Sequence, residues 1–144
     1  MKQSKRMQPV AEMVQQQAET AVKNVAECNR RYRDTQKQLN ELLSYRDDYA
    51  NGLRHKGLKA NQIKDYGLFM GRLNQAIEQQ QAVLNNAGRR LAASKQVCSE
   101  KQQRAKTIDS VVSRYQQVER REQLRREQCD SDEHALRLIR RQDS

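Results

Sequence analysis

The side chains able to attack a substrate or hold a metal are few here: three cysteines and two histidines, scattered among 18 Asp and Glu and 28 Lys and Arg. Their spacing suits neither task. Cys28, Cys98 and Cys129 lie far apart, and no Cys-x-x-Cys or His-x-x-x-His pair occurs. His55 falls in a glycine-containing break and His134 in a charged terminal stretch, neither near a credible nucleophile. No Gly-x-x-x-x-Gly-Lys-Ser/Thr loop is present to cradle a phosphate. Catalytic residues, cofactors and metal ligands are therefore not expected, and the chain is not read as an enzyme. An odd set of distant cysteines reads as reduced thiols.

The chemistry that remains is contact chemistry. Gln38, Leu42, Tyr45 and Tyr49 recur at steps of four, three and four, and so do Phe69, Leu73, Ala76 and Gln80. That spacing puts each set on one face of a helix. Tyr45 and Phe69 are equally far from Gly57, so a chain folded back at that glycine sets them side by side. Such a pair can seal a helix–helix seam, or it can offer aromatic and amide groups to a partner.

Two long stripes position these groups. The first reads Met7, Ala11, Val14, Ala18, Ala21, Val25, Cys28, Tyr32, Thr35, Leu39, Leu42, Arg46, Tyr49 and Leu53. Steps of four and three alternate without a slip, the mark of a coiled-coil seam. A second stripe runs Ile63, Tyr66, Met70, Leu73, Ile77, Gln80, Leu84, Ala87, Leu91, Ser94, Cys98, Lys101, Ala105, Ile108, Val112 and Tyr115. Between them lies Asn51-Gly52-Leu53-Arg54-His55-Lys56-Gly57-Leu58, the clearest break. The spacing predicts an all-α fold: a long two-helix antiparallel coiled-coil hairpin with an overhanging C-terminal helical tail. A single domain is expected over 1–144, with helix one about 8–53, a hinge at 54–60 and helix two about 61–140. Pro9 suggests the start of helix one, because proline suits a first helical turn. With the fold centred at Gly57, Met7 faces Ile108 and residues 109–144 have no partner. Gly67 and Gly71 are read as a place of close helix approach.

Composition agrees. Only 35% of residues are hydrophobic, 32% are charged, Trp is absent and one Pro occurs. A thick core cannot be built from this, but a thin helical seam can. The formal charge is +10, spread as +4 over 1–57, +4 over 58–99 and +2 over 100–144. The densest basic run, Arg120, Arg121, Arg125 and Arg126, is broken by Glu119, Glu122 and Glu127 and holds no aromatic. It reads as a solvated helix, and nucleic-acid binding is not expected. No apolar run approaches the ~20 residues of a membrane span, nor does a signal-peptide core follow the basic start.

These residues carry a family resemblance. Gln38-Leu39-Asn40-Glu41-Leu42-Leu43-Ser44-Tyr45-Arg46-Asp47-Asp48-Tyr49, the break, and Tyr66-Gly67-Leu68-Phe69-Met70-Gly71-Arg72-Leu73-Asn74-Gln75-Ala76-Ile77-Glu78-Gln79-Gln80 resemble the flagellar type III export family called FliJ. The stretches Ser4-Lys5-Arg6-Met7-Gln8-Pro9-Val10 and Arg126–Arg137 are similar to that family's ends. The resemblance implies a coiled coil similar to the central stalk of rotary ATPases. It implies a cytoplasmic protein, peripheral at the inner-membrane export apparatus, that engages and stimulates the hexameric export ATPase. It also implies contact with the export-gate membrane protein and escort of export chaperones. Gate contact would fall on Gln38, Leu42, Tyr45, Tyr49, Phe69, Leu73, Ala76 and Gln80. ATPase contact would fall on the terminal segments, roughly 1–20 and 105–140. The chain departs from the family pattern in lacking Trp and in an Arg-rich tail. An equivalent stalk of a virulence secretion system is the alternative, and a basic nucleic-acid binder a more distant one.

Overall fold

A computed structural model describes residues 2–54, 57 and 59–143. It holds two helices, α1 (Gln3–Arg54) and α2 (Ala60–Gln142). The chain is all-α, an antiparallel coiled-coil hairpin. Of the expected hinge, residues 55, 56 and 58 lie outside the described residues. Lys59 and Gln62 start α2: the Lys59 backbone N–H donates to Gln62 Oε1 at 3.0 Å, and the Lys59 carbonyl accepts from the N–H groups of Gln62 and Ile63 at 2.9 and 3.1 Å. A glutamine at the third helical position reaching back to the cap satisfies a donor that the helix leaves unpaired.

The chain divides into two compact units, one of Met1–Glu19 with Glu100–Ser144 and one of Thr20–Ser99. In the Thr20–Ser99 unit the seam is Ala21, Leu39, Leu73 and Ser94, all buried, with the intervening stripe residues from Val25 to Cys98 half-buried. Ile63 departs from the stripe: it is 56% exposed. Among the helical glycines described, Gly88 is the one that faces the opposite helix at contact distance: a Cβ there would meet Tyr32 Cε2 at 3.4 Å. Gly67 and Gly71 do not mark a close approach: a Cβ on either would meet nothing within 4 Å. They face solvent on α2.

In the terminal unit Val14, Ala18 and Val112 are buried, and Met7, Ala11, Ala105, Ile108 and Tyr115 half-buried. Here two expectations fail. The first helix begins at Gln3, not near Pro9, which sits in the helix interior. Pairing also runs past Ile108. Ser4 is 8% exposed, its Oγ–H donates to Glu119 Oε2 at 2.6 Å, and its backbone N–H donates to Glu119 Oε1 at 3.1 Å. Glu119 thereby caps the first turn of α1 from the opposite helix. An interior proline costs about 3 kcal/mol through its missing N–H, and this contact helps hold the turn that precedes it. The midpoint of Ser4 and Glu119 falls between Asn61 and Gln62, past the Gly57 centre that the sequence suggests. The stretch of α2 that is exposed on every side consequently begins at Arg120. From there to Asp143 every residue is exposed, Leu124, Leu136, Leu138 and Ile139 included.

Candidate partner-docking surface

The Thr20–Ser99 unit gathers four aromatic rings beside its seam. Tyr45 and Phe69 meet edge-on, with centroids 6.1 Å apart and planes at 69°. Tyr49 lies against Phe69 at 4.5 Å and stacks on Tyr66 at 5.5 Å and 18°. Edge-to-face and offset geometries are those that ring quadrupoles favour, worth about 0.5–1.5 kcal/mol per pair beyond area burial. Tyr45 remains 54% exposed. The rings therefore do two things at once. Tyr49, Tyr66 and Phe69 are half-buried and close the seam, while Tyr45 stands out on a side chain braced by Phe69.

The polar ends of the two stripes also meet. Gln80 Nε2 donates to Gln38 Oε1 at 3.0 Å and to the Thr35 carbonyl at 3.3 Å. Between them Arg46 Nη1 donates to Asn74 Oδ1 at 3.2 Å. These bonds cross from one helix to the other and fix which residue faces which. A partner arriving here meets a braced surface, so little side-chain freedom would be lost on binding.

The eight stripe residues are not equivalent. Gln38 and Tyr45 are exposed; Leu42, Tyr49, Phe69, Ala76 and Gln80 are half-buried. Leu73 is 7% exposed and faces the seam, so it supports the surface from within and offers a partner little to touch. Tyr66 belongs to the ring cluster although it is not one of the eight residues expected at the gate contact. Its signal in the sequence is its place on the second seam, four residues before Met70.

Elsewhere the structure offers little reactive chemistry. Cys28 and Cys98 are half-buried and Cys129 is exposed, all as free thiols. Among the described residues no group of three or more His, Cys, Asp and Glu could hold a metal ion. Among the same residues no helix is long and apolar enough to cross a membrane. Glu119 has its carboxyl held below the usual carboxylate value, chiefly by the hydrogen bonds from Ser4 and further by Lys2 and Lys5. That is the signature of a structural clasp.

Comparison with known proteins fits this architecture. No curated protein matches the chain. The family model described as the flagellar FliJ protein matches residues 3–144. With essentially its whole length matched, the chain belongs to the flagellar FliJ family and is a component of flagellar type III protein export.

Proposed function

We propose that this chain engages the export ATPase ring through its terminal unit, stimulates ATP turnover, and binds the export-gate protein through the aromatic surface. The single observation carrying this reading is the helical tail from Arg120 to Gln142, on which no residue is even half-buried. A helix exposed on every side, with apolar residues left bare, needs a partner to justify its order. The bore of a ring is lined all round and suits such an element. The same reading keeps the protein in the cytoplasm, held at the membrane through its partners, with export chaperones as further partners.

ATP hydrolysis by the cognate export ATPase, with and without the chain, tests the reading. Stimulation is expected from the full chain and is lost when residues 120–144 are removed. Unchanged turnover with the full chain rejects it. Gate docking has its own test: Tyr45→Ala with Phe69→Ala weakens binding to the cytoplasmic part of the gate protein while helicity is kept. Equal binding by that variant removes the aromatic surface from the proposal.

A further inference from the structure

A second surface lies in the Thr20–Ser99 unit, on residues that gate docking leaves unused apart from Gln38. Cys28, Arg31 and Thr35 of α1 and Val83, Ala87 and Arg90 of α2 line a groove of about 280 Å³ between the helices. Asp34, Gln38 and Asn86 complete its wall. The volume falls just under the ~300 Å³ at which small-molecule sites begin, so the groove suits side chains of a larger partner better than a whole metabolite. Its apolar part is Val83, 50% exposed, with Ala87 and the half-buried Cys28.

Charge selects the partner. The Thr20–Ser99 unit holds 14 Lys and Arg against seven Asp and Glu, a net +7 of the chain's +10. Residues 79–99 of α2 carry Arg89, Arg90 and Lys95 and no carboxylate. Across the groove α1 carries Arg30, Arg31, Arg33 and Lys37, with Glu27 and Asp34. Arg31 pairs with Glu27 at 2.9 Å, whereas Arg90 has no ion-pair partner among the described residues. A groove whose net charge is positive, with Arg31 and Arg90 outnumbering Asp34 beside the apolar Val83, Ala87 and Cys28, attracts an object of the opposite pattern. Nucleic acid would use the charge but not Val83, and no aromatic lines the groove to stack a base.

We propose that this groove binds an acidic amphipathic helix of a partner protein, its apolar side chains on Val83, Ala87 and Cys28 and its carboxylates facing Arg31 and Arg90. The proposal goes beyond ATPase and gate contact and stands if either of those fails.

The test uses the full chain with Cys98→Ser and Cys129→Ser, leaving Cys28 as the reporter thiol. The probe is a fluorescent 20-residue amphipathic peptide with Leu on one face and Glu on the other. It is compared with the same peptide carrying Gln for Glu, and with a single-stranded 20-mer oligonucleotide. The Glu peptide is expected to bind, to slow maleimide labelling of Cys28, and to weaken as salt is raised. Arg31→Glu with Arg90→Glu, both on the exposed rim, should weaken it about tenfold or more, since like charges then face each other. Val83→Asp should do the same without touching either arginine. Helicity by circular dichroism checks that each variant folds. Equal affinity for the arginine variant, unprotected Cys28 at saturating peptide, or equal protection by the oligonucleotide would each overturn the proposal.

Discussion

Gly67 and Gly71 give the sharpest test of the packing described above. Both lie well inside α2, more than one turn from its start at Ala60. Neither has positive φ, and a Cβ on either meets open space. Replacing each with Ala then removes only the conformational freedom that glycine retains in the unfolded chain. The gain is about 1 kcal/mol per site. The sites are four apart with no shared partner, so the double variant should gain about 2 kcal/mol. For a chain of this size that is an upward shift of about 4–8 °C in the melting midpoint of the helical signal. Gly88 supplies the contrast. Its Cβ position already lies 3.4 Å from the Tyr32 ring. Gly88→Leu must displace that ring and should cost about 1–3 kcal/mol, whereas Gly71→Leu should be tolerated. The assay is thermal and urea denaturation followed at 222 nm. A lower midpoint for the double Ala variant, or equal effects of Leu at 71 and 88, would refute the assignment of the close approach to Gly88.

Four further outcomes follow from the packing of the two helices. Pro9→Ala should stabilise the terminal unit by up to ~3 kcal/mol, because the lost i→i−4 bond is restored inside a helix that already continues through it; hydrogen exchange over residues 3–12 reads this out, and unchanged protection counts against an interior proline. Glu119 titrates below its ordinary value of 4.5 when folded, so its contribution is fully present above about that pH and disappears as pH falls through the folded value. Glu119→Gln should therefore melt with a flatter acid limb than the parent, and parallel limbs would show the clasp to be absent in solution. Leu39→Ala, at a position 5% exposed, should cost about 2–4 kcal/mol, and Gln17→Met should gain about 1 kcal/mol by removing a side-chain oxygen that is buried without a partner; denaturation midpoints moving the other way would reject either placement.

What the sequence determined by itself is which face of each helix is turned inward. Every residue of the first stripe from Met7 to Leu53 is buried or half-buried, and so is every residue of the second from Tyr66 to Tyr115. A three-four period encodes a face directly, because only one stripe of an amphipathic helix can leave water. Aromatic and Gln residues at helical spacing likewise made the Tyr45–Phe69 surface legible. Whether a partner uses it is a matter of affinity, which periodicity does not carry. The tertiary structure decided which residue meets which. A seam of similar small residues is nearly indifferent to a shift along its length, so the register rests on particular side chains: Gln80 against Gln38, Tyr32 over Gly88, Ser4 held by Glu119. The last of these is a polar pair 115 residues apart, invisible to any local pattern. It moves the start of α1 ahead of Pro9 and the end of pairing out to Glu119. The exposed glycines show the same division: their sequence spacing suits close packing, and only the position of the opposite helix reveals that nothing packs there.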